Sequence, residues 1–428
     1  MFLTAEHSRA QADLTLTVPG MVHDVVFPTE TSLVVGGGIG GLATALALRR
    51  TNRSATVVEQ APAFGEIGAG LQLGPNATRI LDEWGLLEEV RAAGVEPRRL
   101  VLRDAMTGEE LAALDLTGSF RDRYAAPYVV IHRTDLHAIL LRACQDAGVD
   151  LVTSTHITDV SQDGEGTLAR TDDGRTFAAG VTFGADGLHS VLRQEIVGDD
   201  VVPSGFVAYR GTVPIEDVPD ARGLDDVVCW VAPGAHVVQY RLRGGSVLNV
   251  VATFRSPGFL RGEPDYGTPD ELEEVFSECD PRVREAVSHV GRQRRWPLFD
   301  RNPADYWGAG RVVLTGDAAH PMLQYLAQGC CQALEDARTL EALLVDQRPG
   351  GTDWPQVIER FTQARIPRTA QVQRRARFFG EVCHADGAAR VLRNALLAHA
   401  DDLSEYTDWL YAGTASERLA PNRPLTLA

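Results

Sequence analysis

The sequence contains no lysine, so all 41 of its basic residues are arginines. That excludes Schiff-base chemistry, a pyridoxal phosphate lysine and a P-loop lysine. The formal net charge is −17, with 58 acidic residues and no arginine block to offset them. Nucleic acid and anionic membrane are therefore poor partners. Long apolar runs are also missing. None reaches the ~18 residues of a membrane-spanning helix. The six cysteines form no C-x-x-C pair, which excludes a zinc ribbon and a dithiol redox motif, and no metal is expected. Cys330 and Cys331 are adjacent and read as small apolar residues at a helix start. Residues 1–30 carry four acids and lack a basic stretch followed by an apolar core. They read as an N-terminal extension rather than a secretory signal, and the expected compartment is the cytoplasm.

What is present is a globular composition, 44% hydrophobic and 23% charged, in a chain of 428 residues, enough for two or three domains. The stretch from Ser32 to Arg50 reads as a buried strand, a glycine turn and an Ala/Leu-rich helix. Gly36, Gly38 and Gly41 fall in a G-x-G-x-x-G pattern. The first glycine permits the tight turn. The second lets backbone approach a pyrophosphate, and the third lets helix and strand pack closely. The helix N-terminus then faces the anion. A second apolar strand, residues 55–58, ends at Glu59, where a carboxylate would hold a ribose hydroxyl. The glycine-rich loop that follows, up to Pro75, reads as facing the cofactor.

Further along, a strand at 129–133 leads into a helix through Ala147, with Thr134 or Asp135 as its cap. Four short strands occupy 150–180. A buried strand then ends at Asp186-Gly187, and Ser190 opens a helix. From about 205 to 297 strands recur without crossover helices, as in an antiparallel sheet. A buried strand returns at 311–315 and ends at Gly316-Asp317. Helices then run from Gly329 to about Val345 and from Trp354 to Phe379, the second broken or kinked at Pro367. The expected organisation is an N-terminal extension (1–30) and an α/β, Rossmann-like nucleotide-binding domain with a parallel sheet (31–204 and 298–380). A mainly antiparallel substrate domain is inserted at 205–297, and a helical C-terminal region with a Pro-rich tail spans 381–428.

The third strand end decides which dinucleotide. An aspartate beside a glycine there is placed to accept from a ribitol hydroxyl. The helix after Gln328-Gly329 aims its N-terminal amides at a flavin's N1 and C2 carbonyl edge, stabilising the anionic reduced ring. Together with Gly36–Gly41 and Asp186-Gly187 this points to FAD.

These motifs, with Gly316-Asp317-Ala-Ala-His-Pro321, make the chain resemble the single-component aromatic flavoprotein hydroxylases, the p-hydroxybenzoate hydroxylase-like group, over about residues 31–412. Within the group it resembles the 3-hydroxybenzoate 6-hydroxylases through Tyr128, His132-Arg133, Ala208-Tyr-Arg-Gly-Thr, His236-Val-Val-Gln-Tyr240 and His320-Pro-Met-Leu-Gln324. One departure is Gln328-Gly-Cys-Cys-Gln, where relatives often carry smaller or aliphatic residues. The resemblance implies FAD, NADH or NADPH as electron donor, O2, a small aromatic acid as substrate and a homodimer. It implies hydroxylation para to a phenol, with 3-hydroxybenzoate going to 2,5-dihydroxybenzoate. Salicylate or hydroxynicotinate hydroxylation, or a flavin-dependent reductase of the same fold, are the alternatives. It places His236 as base beside the phenol and Gln324 opposite it. Tyr128, Tyr240 and Pro321 are placed at the substrate, although packing is an equal reading for the tyrosines. Arg133, Gln328 and Gly329 join Gly36, Gly38, Gly41, Glu59, Asp186, Gly187, Gly316 and Asp317 at the cofactor. His320 is placed by the flavin's reactive edge or in a structural role.

Overall fold

The strands Thr31–Val35, Ser54–Val58, Asp150–Val152, Val181–Gly184 and Val312–Leu314 lie parallel in one sheet, with the short strand Gly308–Ala309 antiparallel at its edge. Their apolar side chains are buried on both faces, as a sheet covered by helices demands. The computed structural model describes residues 30–65, 68–218, 224–399 and 403–413. The rest of the N-terminal extension, and the tail from Pro421, lie outside the described residues. In sheet order the strand ending at Gly36 is flanked by those running into Asp186 and Glu59, and the strand running into Gly316 comes next. Three glycine-bearing strand ends far apart in sequence thus meet at one carboxyl edge, where open parallel sheets bind ligands.

The helices that share this sheet's core include Ile39–Arg50, Arg133–Asp146, Gly329–Leu344 and Trp354–Cys383. The cap of the second is the His132 ring, whose Nδ1 accepts from the Thr134 amide at 3.3 Å, and not Thr134 or Asp135. The last helix continues through Pro367 as one element, four residues past the expected end at Phe379. Burial of its apolar face offsets the backbone hydrogen bond that Pro367 cannot make.

A second sheet has seven strands in the order Trp296–Asp300, Val202–Pro214, Val247–Arg255, Ala235–Leu242, Val227–Ala232, Arg99–Asp104 and Glu110–Asp115. All its pairings are antiparallel except that of Val227–Ala232 with Arg99–Asp104. Two of these strands come from well upstream of residue 205, which nothing in their short, mixed sequences announces. One face of the sheet packs Tyr209, Val237, Val250 and Ala252 against the helices Pro269–Phe276 and Pro281–Ser288. The period of two then turns His236, Val238, Tyr240, Val251, Thr253 and Arg210 to the other face. That face looks across to the carboxyl edge of the parallel sheet.

Candidate functional site

A cavity of about 630 Å³ lies between the carboxyl edge of the parallel sheet and the open face of the seven-stranded sheet. At one end it is lined by Gly36, Gly38, Glu59, Asp186, Gly187, Gly316 and Asp317, and at the other by Arg210, His236, Tyr240 and Gln324.

The dinucleotide end is built by close approach. Gly36 has φ +109°, and a Cβ there would sit 2.3 Å from the Ala185 carbonyl oxygen. A Cβ on Gly41 would lie 1.9 Å from the Gly36 carbonyl oxygen. Neither position admits a side chain. Gly41 accordingly lies behind the lining, where it lets the helix Ile39–Arg50 pack against the turn. Glu59 accepts from the Gly37 amide at 2.8 Å and the Ala61 amide at 2.9 Å. Its carboxylate braces the turn and keeps lone pairs for a ligand hydroxyl. The His137 ring bonds the Gly37 carbonyl at 2.8 Å from below.

Asp186 spends one carboxylate oxygen on the Val191 amide at 2.9 Å. Its other oxygen is buried without a partner, and burial raises its carboxyl above the ordinary range. Asp317 projects into the cavity, and a Cβ on Gly329 would lie 3.7 Å from its Oδ1. Anionic acceptors thus stand at the ends of two strands, beside the N-terminus of the helix Gly329–Leu344. This set fits a dinucleotide. Glycines leave room for the phosphates, and carboxylates await hydroxyl donors. Arg133 lines the same wall against Gly68, whose Cβ would meet that of Arg133 at 2.9 Å. Gln328 lines the cavity too, but its side-chain oxygen is taken by Asn76 at 3.0 Å and Gln332 at 3.1 Å.

Behind this wall a buried ionic cluster holds the third strand end in place. Asp336 accepts from the Gly316 amide at 2.9 Å, from His320 Nε2 at 2.7 Å and from Arg365 Nε at 2.7 Å. Arg365 and Arg368 also donate to Glu335, as does Asn76. Burial alone would raise the Glu335 carboxyl, but the Arg368 and Arg365 charges outweigh it and lower it to about 2. His320 therefore belongs to the support and not to the reactive edge: it is 1% exposed and stands edge-on to Trp307.

At the far end, Gln324 bridges two neighbouring strands. Its amide donates to Thr253 Oγ1 at 3.0 Å and its oxygen accepts from Arg210 at 3.1 Å. Arg210 Nε is buried without a hydrogen-bond partner, and burial lowers its pKa. No acid is ion-paired with it among the described residues. His236 is 4% exposed, and burial without a counter-charge lowers its pKa to about 4. Its Nδ1 lies 2.8 Å from His384 Nε2. Tyr240 lines the cavity, and burial raises its phenol. Tyr128 and Pro321 do not line it. The Tyr128 hydroxyl donates to Gln72 at 2.7 Å and its ring packs edge-on to Tyr411, in the aromatic cluster behind the wall. The Pro321 carbonyl accepts from Gln373 at 2.9 Å, which directs that residue to the helix Trp354–Cys383.

Arg210, Tyr325, Cys229, Cys383 and His384 went unassigned in the sequence. The alternation of Ala208-Tyr-Arg210 held a usable signal, since a buried neighbour two residues away shares the face. His384 offers none. It reaches His236 only because the 30-residue helix Trp354–Cys383 delivers it there at its C-terminal end.

A family model described as an FAD binding domain matches residues 29–376. A 3-hydroxybenzoate 6-hydroxylase of Polaromonas naphthalenivorans (strain CJ2) is 40% identical over 91% of the chain and 97% of that protein. Another of Klebsiella oxytoca is 40% identical over 89% of the chain and 96% of that protein. A solved structure of a salicylate hydroxylase substrate complex superposes with a TM-score of 0.76 at 25% identity, covering 92% of this chain and 99% of that one.

Proposed function

From the premise that the chain belongs to the FAD-binding-domain family and is an FAD-dependent aromatic monooxygenase, we propose that it hydroxylates a small phenolic acid para to its hydroxyl. The electron donor is NADH or NADPH and the oxidant is O2. The substrate proposed is 3-hydroxybenzoate and the product 2,5-dihydroxybenzoate, following the names of the relatives above. Carbon 6 of 3-hydroxybenzoate is para to its hydroxyl, so the two statements describe one reaction.

FAD, when bound, supplies the redox chemistry: it takes electrons from the nicotinamide and activates oxygen. The adenosine half belongs with Gly36, Gly38, Gly41 and Glu59, with Arg133 beside them. The backbone turn at Gly38 and the helix N-terminus behind it would take the pyrophosphate, and Asp186, Gly187, Gly316 and Asp317 would line the ribitol, whose hydroxyls the carboxylates accept from. Gln328 and Gly329 set the helix N-terminus against the ring. The substrate belongs under the seven-stranded sheet.

The observation that carries the substrate class is Arg210. It is a guanidinium in the cavity wall with no acid partner among the described residues. A buried cation without a counter-ion is costly unless the ligand supplies one, and a carboxylate does so with two parallel hydrogen bonds. His236 lies two strands away on the same face, about 10 Å across at ~4.8 Å per strand. One aromatic ring and two long side chains fill that span. A phenol is a stronger nucleophile once deprotonated, and His236, neutral at pH 7, is in the form that accepts its proton. Gln324 and Tyr240 are placed to orient the hydroxyl.

The test is turnover of purified holoenzyme with NADH or NADPH, O2 and a panel of 3-hydroxybenzoate, salicylate and 6-hydroxynicotinate, read by product identification. Nucleotide oxidation stimulated by 3-hydroxybenzoate, with matching 2,5-dihydroxybenzoate, is expected. Hydroxylation of salicylate alone would move the substrate assignment. Oxidation without a hydroxylated product would leave a reductase.

A further inference from the structure

His236 and His384 share one hydrogen bond of 2.8 Å between Nδ1 and Nε2. Such a bond needs one proton, so one ring donates and the other accepts. If His384 donated, His236 would carry its other proton on Nε2 and turn an N–H towards the cavity. If His236 donates, its Nε2 lone pair is left for the substrate. Only the second arrangement can take a proton from a phenol. The tautomer of His384 therefore decides whether His236 acts as a base.

The surroundings of His384 suit this role. It follows directly on the helix Trp354–Cys383 and is half-buried, with Asp386 and Gly387 exposed just beyond it. Phe206, from the strand Val202–Pro214, stacks on its ring at 4.4 Å, and Tyr325 meets it edge-on at 5.2 Å. These contacts fix the ring plane. The groups that act on it are His236, then Arg393 on the helix Gly387–Ala398 and Arg255 on the sheet. Burial first, then those neighbours, lower its pKa to about 2, so His384 does not hold a second proton. The Cys383 thiol completes the neighbourhood and stays protonated at neutral pH, since its pKa is raised by its bond to Cys229 and by burial.

Resting on the reading of His236 as the base, we propose that His384 is a positioning residue that holds His236 in its Nδ1–H tautomer and passes the phenol proton to solvent. The phenol O–H proton moves to His236 Nε2 as the Nδ1 proton moves to His384 Nε2. The Nδ1 proton of His384 leaves to water. Each ring gains one proton and loses one, and neither accumulates charge. When the hydroxylated ring regains its aromaticity and the phenol is reprotonated, the reverse transfer restores both tautomers. A buried base is in this way connected to water without opening the cavity.

The test reads ionisation of 3-hydroxybenzoate bound to oxidised holoenzyme, by phenolate absorbance against pH with no nicotinamide present, and its rate after a pH jump. In His384→Phe, which keeps the stack on Phe206, ionisation should move up by about one pH unit, and hydroxylation should slow at least ~10-fold with FAD content unchanged. In His384→Gln, whose amide replaces Nε2 but carries no proton through, the equilibrium should recover and the rate should not. Wild-type ionisation and rate in both variants would overturn the relay. His236→Gln separates the two ideas. If it abolishes ionisation while the His384 variants leave it intact, the base stands and the relay falls. If it leaves ionisation unchanged, the base assignment fails and the relay with it.

Discussion

At the scale of single residues, the far end of the cavity holds Arg210 and His236, neither with an acid partner among the described residues. Arg210 has Gln324 at 3.1 Å and the ring of Trp296 at 5.4 Å, and neither neutralises its charge. A hydrogen bond to a charged group is worth about 1.5–3 kcal/mol. Arg210→Gln should therefore raise KM for the aromatic acid by about 10- to 100-fold, with KM for the nicotinamide unchanged. Steady-state kinetics against the acid and its uncharged amide check this, since the amide should be indifferent to the substitution. His236 carries a pH signature of its own. Its pKa is about 4 folded against about 6.5 in an unfolded chain. As pH falls, the unfolded chain takes the proton first. Stability is thus intact above about pH 6.5 and is lost downward to about pH 4, at about 1.4 kcal/mol per pH unit for such a group. Denaturant titrations of wild type and His236→Gln should show the steeper acid loss only in wild type.

At the scale of elements, the glycine turn and its helix were readable because every local feature agreed: a buried strand, a turn, a good helix former and a second strand ending in an acid. Gly41 is the least negotiable position. A Cβ there would meet backbone at 1.9 Å, and backbone cannot swing aside as a side chain can. Gly41→Val should yield protein without bound FAD, seen as loss of flavin absorbance in the purified protein; a fully loaded yellow variant would contradict the cofactor placement. Elsewhere local reading mistook the cap of the helix Arg133–Asp146, since His132 is an uncommon cap whose ring happens to reach the Thr134 amide. The resemblance left His320 between the reactive edge and a structural role, and the structure gives it the second. The acid that claims it, Asp336, lies on another element and is visible only once the helix Gly329–Leu344 folds back on the turn.

For the whole molecule, the cavity is shared. The parallel sheet, the seven-stranded sheet and the helix Gly329–Leu344 each supply part of its wall. Other ties cross the fold. Asp104 accepts from Arg390 at 2.7 Å and from Asn394 at 2.7 Å, clamping the helix Gly387–Ala398 to the second sheet. A ligand that fills the cavity touches several bodies of structure at once. Removing FAD should accordingly lower the thermal midpoint, and readdition should raise it with the logarithm of FAD concentration. At 100 times its Kd the gain is about 2.7 kcal/mol. Thermal melts of apo and reconstituted protein measure this, and a midpoint indifferent to FAD would place the cofactor elsewhere. Among the described residues no helix is long and apolar enough to cross a membrane.

By itself the sequence determined the parallel α/β frame, the family and the glycine- and acid-bearing strand ends that line the cavity. Those depend on runs of neighbouring residues: buried strands, glycines where backbone must come close, acids at strand termini. Through the resemblance it also named His236 and Gln324, and both line the cavity. The tertiary structure alone decided what stands beside them. The strands Arg99–Asp104 and Glu110–Asp115 join a sheet built far downstream. Tyr128 turns behind the wall, Arg210 turns into it, and His384 reaches His236 across 148 residues of chain. Such contacts are made by elements crossing one another in space, and a linear pattern of side chains carries no record of the crossing.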